Sequence, residues 1–485
     1  MWHEERLSIG GELVEAEGNK TFATINPATG ETLGTASDAS VGDVTRAIEL
    51  ARRAFDTTSW ATDHTFRARC LDQLHEALVR HQEELRPLII AEVGAPLTLT
   101  QGPQLDTPIN IVRWYADLLE KFEWTEDLGY AEAYGSNHHR WVEKEPVGVV
   151  AAIVPYNYPV QITLAKLVPA LAAGCTVIVK GPPDTPWVTQ TLGRIISETD
   201  IPPGVASVIS SSSVEAGEIL TTHSMVDMVS FTGSTAVGRR IMAAASDTVK
   251  KVFLELGGKS AHIVLDDADL PITCMIAGFT ICSHAGQGCA ITTRLLVPQA
   301  KHDEIAGLLV DTMKGVPVGD PADPGTMMGP LINERQWAKV DGYVQRAVAG
   351  GATVATGGKR PEALPTGYFY EPTLLVDVDP DAAVAQEEIF GPVLTVIPYK
   401  DDDDAVAIAN NSIFGLSSSV TGADRERALR IARQIRAGTV SVNGGMWYGP
   451  DSPFGGYKQS GIGREMGVPG LTEYLETKTL AEPST

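Results

Sequence analysis

Hydrophobic positions along the chain follow two rhythms. Val44, Ala47, Ile48, Ala51 and Phe55 repeat at the spacing of one helix face, and Ser40 with Asp43 has the form of a capping box ahead of them. Leu71, Leu74 and Leu78 continue the period in a second helix, after a short strand-rich lead-in. Between 126 and 141 the pattern dissolves into polar and aromatic residues with Gly129 and Gly135, which predicts a hairpin standing off the main body. From Pro146 the rhythm changes. Residues 147–154 form a near-continuous apolar run, as expected of a strand buried on both faces. A helical segment follows, then short strands at 176–179, 206–209, 228–231 and 261–265 separated by helical patterns. This alternation predicts a doubly wound parallel sheet. A second series begins after Asp269. Pro271 sits where a helix would start, strands are expected at 293–297, 392–397, 416–420 and 439–442, and helices at Asp403 and along Ala428, Ile431, Ala432 and Ile435. The run 401–404 of four aspartates reads as a solvated helix N-terminus, and no internal repeat is present.

Composition narrows the function classes. At 485 residues the chain should form about two to four structural units. Lys and Arg total 38 against 61 Asp and Glu, a net charge of −23, which argues against a surface built to neutralise phosphates. With 43% hydrophobic and 20% charged residues, wholesale disorder is excluded. The five cysteines (Cys70, Cys175, Cys274, Cys282, Cys289) are an odd count without CxxC spacing, so neither a disulfide framework nor a metal site is expected. The N-terminus is charged and lacks an apolar core, which predicts no signal peptide. The longest apolar stretch, 167–179, is broken by Pro169 and Gly174 and is too short to span a bilayer. A soluble, cytoplasmic protein is expected.

Four places carry candidate chemistry. Cys289, in Gly286-Gln287-Gly288-Cys289, lies between small residues where a substrate could approach, although a lone cysteine is more often inert and buried. Glu255, flanked by leucines and followed by Gly257 and Gly258, is a carboxylate whose burial would suit it to general-base work; an exposed glutamate is the plainer alternative. Asn157 follows the apolar run at 147–154, where ligands of open α/β sheets bind, and is either a turn asparagine or a donor to an oxyanion. Residues 231–238, FTGSTAVG, follow a strand and open a helix. They could hold a pyrophosphate, but they are not GxGxxG, and their glycines could equally serve close packing.

Together these residues are far more specific. PYNYP (155–159), Lys180 after TVIV, FTGSTAVG (231–238), LELGGKS (254–260), GQGC (286–289), GPLINERQ (329–336), EEIFGPV (387–393) and PFGGYKQSGIGRE (453–465) closely resemble, in order and spacing, the aldehyde dehydrogenase superfamily. The resemblance covers nearly the whole chain. It implies an aldehyde dehydrogenase-like α/β fold with a Rossmann-type cofactor domain (1–123 and 144–256), an α/β catalytic domain (257–469) and a small β oligomerisation flap (124–143 and 470–485). It implies Cys289 as nucleophile, Glu255 as general base, Asn157 with the Cys289 backbone N–H as oxyanion hole, and Lys166 on a proton path. Cofactor contacts are implied for Ile153, Lys180, Gly217, Gly233, Ser234, Leu256, Gln336, Lys339, Glu388 and Phe390, and aromatic walls of a substrate pocket for Tyr158, Trp447, Tyr448 and Phe454. Ala165 stands where the family often has a large aromatic in its substrate tunnel, which implies a roomy, apolar site. The implied activity is NAD(P)-dependent oxidation of an aldehyde to its acid through a thiohemiacetal and a thioester, by a homodimer or homotetramer. The glutamate in LELGG disfavours the coenzyme-A-acylating branch.

The chain departs from the family pattern at several positions. His284 stands where Asn is usual, Gly181 where Pro is usual, and 210–213 is a run of serines in place of a usual glycine. Pro183 replaces a glutamate common in NAD-preferring members, a carboxylate that would repel a 2′-phosphate, so NAD is expected with NADP tolerated. Two rivals are a non-enzymatic structural relative, against which the intact Cys289, Glu255, Asn157 and Glu388 weigh, and a cofactor-free thiol esterase.

Overall fold

A computed structural model describes residues 1–484. Two parallel-stranded sheets with separate cores carry the architecture. In the first, five parallel strands run in the order Lys251–Glu255, Met228–Thr232, Val149–Ile153, Thr176–Gly181, Ala206–Ser210. The apolar run predicted at 147–154 becomes the central strand of this set, buried on both faces by helices. From it the chain winds outward first to one side, through 176–181 and 206–210, and then to the other, through 228–232 and 251–255. The carboxyl end of Val149–Ile153 is therefore the topological switch point, where neighbouring connections leave in opposite directions and open a crevice.

The second sheet has seven strands in the order Thr353–Thr356, Thr373–Val376, Val393–Tyr399, Thr292–Pro298, Ser260–Val264, Ser417–Thr421, Thr439–Val442. The strand predicted at 261–265 lies here, pairing with Thr292–Pro298 and Ser417–Thr421, and not with the first series in which its position along the chain had grouped it. After the second sheet the chain crosses back. Gly461–Ile462 pairs antiparallel with Lys251–Glu255 at the edge of the first sheet. The predicted hairpin forms as Thr125–Ala133 and Ser136–Pro146, and Leu475–Pro483 adds a third strand to it.

Local signals act as the sequence suggests. The helix Val41–Thr57 starts in a reciprocal capping box: the Asp43 backbone N–H donates to Ser40 Oγ at 3.0 Å, and the Ser40 N–H donates to Asp43 Oδ2 at 2.9 Å. Asp401 caps the helix Asp402–Asn410 by accepting from the Asp404 N–H. Two helices not among the expected elements, Gln82–Val93 and Asp106–Leu119, pack on the first sheet.

Candidate active site

The carboxyl ends of three adjacent strands in the first sheet place Asn157, the 232–234 turn and Glu255 around one crevice, and the segment between the helix Leu270–Cys282 and the second-sheet strand Thr292–Pro298 brings Cys289 to it. Cys289 follows a tight reversal. After the helix Leu270–Cys282, residues His284, Ala285 and Gly286 all take left-handed backbone conformations (φ 48°, 51° and 71°). A Cβ on Gly286 would lie 2.1 Å from the Gly391 carbonyl, so only glycine lets the reversal rest on that neighbouring loop. Of the five cysteines, four are buried and Cys289 alone is partly exposed. Its surroundings are nonetheless dry and anionic. Burial pushes the thiol well above its usual range, and Glu255, Glu388 and Glu465 push it the same way.

Asn157 is 3% exposed and held from both ends. Its carbonyl accepts from Gln104 Nε2 at 2.7 Å, and its Nδ2 donates to the Gln287 carbonyl at 2.9 Å. An amide nitrogen has two hydrogens, so one N–H remains for a ligand oxygen beside Cys289. Glu255 ends the strand Lys251–Glu255, is 2% exposed, and neither of its carboxylate oxygens has a hydrogen-bond partner. Burial raises its pKa well above the usual carboxylate range. Glu465 adds to the shift, while Lys166 and Arg464 oppose it. A Cβ on Gly455 would lie 2.6 Å from Glu255 Oε1, so that glycine makes room for the carboxylate. Behind it, Lys166 Nζ pairs with Glu465 Oε1 at 2.7 Å and reaches Ser230 Oγ at 3.3 Å, which in turn bonds the Tyr474 hydroxyl at 2.9 Å.

The residues for which the resemblance implies cofactor contacts have the following surroundings. Ser234 caps the helix Thr235–Ala245 by accepting from the Val237 N–H, and the Gly233 N–H donates to the Glu255 carbonyl. Gly238 packs so closely on Leu256 that a Cβ would meet its Cδ2 at 2.6 Å. Lys180 is buried, its pKa lowered to about 8 by burial, and its ammonium donates only to the carbonyls of Gly181 and Ser211. Gly217 lies 3.8 Å, from its would-be Cβ, above the Lys180 stem. Ile153 closes the switch-point strand beside them. Across the crevice, Glu388 Oε1 accepts from the Gly258 N–H at 3.0 Å, and a Cβ on Gly257 would sit 2.6 Å from Oε2. Burial raises the Glu388 pKa, opposed by that N–H, Lys339 and Lys259. Gln336 spends its amide nitrogen on the carbonyls of Ile389 and Phe390, at 3.0 and 2.6 Å, so it seats the loop that carries Glu388. Phe390 meets the Tyr156 ring edge-on. This set fits a dinucleotide: a helix N-terminus with glycines for phosphate, an ammonium lacking an ion-pair partner, and a carboxylate for a ribose hydroxyl.

Trp447 and Phe454 stack at 5.6 Å between centroids, with Tyr448 edge-on to both. Tyr448 and Tyr158 both lie close enough to Cys289 for its charge to raise their phenol pKa values, after burial, which is the larger cause. Ala165 is buried on the helix Pro159–Ala173. Several participants escape sequence reasoning. Glu465, Gln287, Lys259 and Gly455 lie inside segments that carry the family resemblance, which implied no role for them, and Gln104 lies outside every such segment, its partner Asn157 being remote along the chain.

Residues 13–480 match the model of the aldehyde dehydrogenase family. The chain is 40% identical over 474 residues to the 3-succinoylsemialdehyde-pyridine dehydrogenase of a Pseudomonas species, covering 97% of each. It superposes on the betaine aldehyde dehydrogenase of Staphylococcus aureus in complex with NAD+ with a TM-score of 0.95 and 36% identity, covering 99% of this chain and 94% of that one. It is similar also to a variant of aldehyde dehydrogenase C of Pseudomonas syringae in complex with NAD+ and octanal (TM-score 0.93, 36% identity, 98% and 96% covered).

Proposed function

Because the chain belongs to the aldehyde dehydrogenase family and is an NAD-dependent oxidoreductase that turns an aldehyde into its carboxylic acid, we propose that Cys289 is its nucleophile, Asn157 its oxyanion donor, Glu255 its general base and Lys166 part of its proton path. The observation that carries this reading is the buried Glu255 carboxylate, with both oxygens unpartnered, in the same crevice as the partly exposed Cys289 thiol. Leaving a buried carboxylate unbonded costs stability, and a role in proton transfer accounts for it.

The thiolate of Cys289 adds to the aldehyde carbon, and the carbonyl oxygen becomes an oxyanion held by the free N–H of Asn157 and the Cys289 backbone N–H. Lys180 with Gly217, Ser234 with Gly233, and Glu388 with Phe390 hold NAD at the adenosine ribose, the pyrophosphate and the nicotinamide ribose, with Ile153, Leu256, Gln336 and Lys339 around them. Bound NAD supplies the hydride acceptor. Collapse of the oxyanion as hydride departs leaves an acyl thioester on Cys289. Glu255 takes a proton from water, the hydroxide adds to the acyl carbon, the C–S bond breaks and the acid leaves. The Lys166–Glu465 ion pair, whose charges act on Glu255, is the group that would take up its proton. An assay with aldehyde and NAD tests this. NADH formation supports it, ester hydrolysis alone would favour a cofactor-free esterase, and no turnover with no cofactor binding would leave a structural relative.

The aromatic wall and the small Ala165 suit a medium-chain or aromatic aldehyde. Each added buried methylene is worth roughly 0.8 kcal/mol, so kcat/KM should be higher for hexanal or benzaldehyde than for acetaldehyde. Ala165→Trp should narrow the preference towards short substrates; equal kcat/KM values across the series would reject the roomy pocket.

At the adenosine end, Pro183 supplies no carboxylate, and the Lys180 charge can face a phosphate. NADP is therefore tolerated, and Pro183→Glu should lower NADP affinity relative to NAD. An unchanged ratio by titration would mean that position 183 is remote from the ribose.

The protein works as a homodimer or homotetramer in the cytoplasm. Strand Thr439–Val442 is an open edge of the second sheet and Leu475–Pro483 an open edge of the small one. Ile272, Met275 and Ile276, on the helix Leu270–Cys282, are each about half exposed, and Ile272 and Ile276 line a groove of about 610 Å³. An apolar stripe beside an unpaired strand suits a second copy. Light scattering on the eluting protein should give two or four chain masses. No helix among the described residues is long and apolar enough to cross a membrane.

A further inference from the structure

Asp38 lies in the short link between the strand Thr32–Ser37 and the helix Val41–Thr57, far along the chain from the cofactor motifs. The link is fixed on both sides. The Asp38 N–H donates to the Lys20 carbonyl at 2.8 Å, and the Ala39 N–H donates to the Ser210 carbonyl at 3.0 Å. Ser210 ends the strand Ala206–Ser210, so the Asp38 carboxylate meets the serine run 210–213 that stands in place of the family's usual glycine. Asp38 Oδ1 accepts from the Ser212 N–H at 2.8 Å, and Oδ2 accepts from the Ser212 hydroxyl at 2.6 Å.

The opposite side of the same peptide holds Lys180. Its Nζ donates to the Ser211 carbonyl at 3.2 Å, and that carbonyl and the Ser212 N–H belong to one peptide unit. In a trans peptide the two groups point in opposite directions. One peptide dipole therefore stands between a carboxylate at its N–H end and an ammonium at its carbonyl end, the orientation in which both charges strengthen its hydrogen bonds. The other acceptor for the ammonium is the Gly181 carbonyl at 3.3 Å, so no carboxylate among the described residues touches it directly. Burial lowers the Lys180 pKa, and Asp38 is the charge that opposes this. Asp38 is thus the counter-charge of Lys180 at one remove. Pro183, where NAD-preferring relatives often carry a glutamate, supplies none.

We propose that Asp38 sets the cofactor preference at the adenosine end: coupled to the Lys180 ammonium through the Ser211–Ser212 peptide, its carboxylate offsets the positive charge that a 2′-phosphate would otherwise meet there. This rests on the reading of Lys180 as the adenosine-ribose contact. A ribose with both hydroxyls free is neutral, and it keeps its hydrogen bond to the ammonium when the charge is offset. A 2′-phosphate brings a charge of about −1.5 to −2, so it is drawn less to Lys180 and is repelled by Asp38. The preference for NAD then comes from the link before the helix Val41–Thr57, in place of the carboxylate lacking at position 183.

The test titrates full-length protein with NAD and with NADP and follows the quenching of tryptophan fluorescence. Asp38→Asn removes the charge and keeps a side-chain oxygen to accept from the Ser212 N–H. Expected is a rise of about 5-fold or more in affinity for NADP relative to NAD, the scale of one charge contact near a protein surface, with the NAD dissociation constant nearly unchanged. The rise should shrink in about 1 M salt, because screening acts on charge and not on shape. An unchanged ratio, an equal weakening of both cofactors, or a rise of the same size at low and high salt would overturn the proposal. If asparagine does not fold, Asp38→Ser makes the same comparison with the same outcomes. Should Lys180→Met leave the affinities for both cofactors intact, the reading of Lys180 fails, whatever Asp38 does.

Discussion

Cys289→Ala is expected to abolish both NADH and acid formation, a fall of about 10⁴-fold or more, as for removal of other catalytic nucleophiles, while NAD still binds. No neighbouring thiol can take over. Cys70, Cys175, Cys274 and Cys282 are buried, and burial raises the pKa of each, to about 11 for Cys70 and Cys274 and about 12 for Cys175 and Cys282. Single-turnover NADH absorbance and fluorescence titration with NAD separate loss of chemistry from loss of cofactor. Residual turnover above background in a folded, NAD-binding variant would remove Cys289 from the mechanism. In the wild type the same thiol sets an alkaline-rising profile. Its pKa is raised, so the reactive thiolate is scarce at neutral pH, and kcat/KM climbs as pH rises towards that pKa.

Glu255→Gln should fail differently. Glutamine keeps size and hydrogen-bonding capacity but cannot accept a proton. The thiolate still attacks and hydride still leaves, but the acyl group stays on Cys289. Losing general-base help costs about 10²–10⁴-fold in the assisted step, so deacylation becomes limiting. The expected result is a burst near one NADH per active site, followed by slow turnover, with the added acyl mass on the peptide containing Cys289. The substitution also removes one of the carboxylates that raise the thiol pKa, which favours thiolate and sustains the burst. The pH dependence follows from the sign of the Glu255 shift: a raised pKa means that the base form grows as pH rises, so wild-type deacylation accelerates with pH and the variant loses that dependence. Full steady-state activity would exclude Glu255 as the base. A burst absent at every pH, with the cofactor bound, would assign it to acylation instead.

The outline of the fold was legible because its signals are local. The capping box of Ser40 and Asp43, the both-faces-buried run before Asn157 and the polar interruption that becomes the hairpin each need only their own segment. Sheet membership is not local. Ser260–Val264 has the apolar pattern of any buried strand, and only its partners, Thr292–Pro298 and Ser417–Thr421, assign it to the second sheet. The helix Gln82–Val93 escaped because its inward face carries charge among its apolar residues, whereas Asp106–Leu119 buries an apolar face at Ile109, Val112, Tyr115, Ala116 and Leu119 whose helical spacing the chain does display. Arg86 is buried with Thr100 and Asp106, and Glu92 accepts from the backbone of Trp187 and Val188. The catalytic candidates were visible through the motifs that hold them, whereas their supports were not. Lys166 and Glu465 meet from positions 299 residues apart, and Gln336 turns its amide to the Glu388 loop, an orientation that no spacing encodes.

The dry, anionic surroundings of Cys289 bear on the lifetime of the protein as well as on its rate. Oxidants and alkylating agents attack thiolate, not thiol, and a cysteine carried to sulfinic acid is not recovered by ordinary reductants. A nucleophile exposed to a substrate crevice is exposed to peroxide as well. Burial, with Glu255, Glu388 and Glu465 adding to it, keeps this one protonated at rest. The arrangement trades instant reactivity for durability, so that the sulfur survives between the encounters for which it is needed.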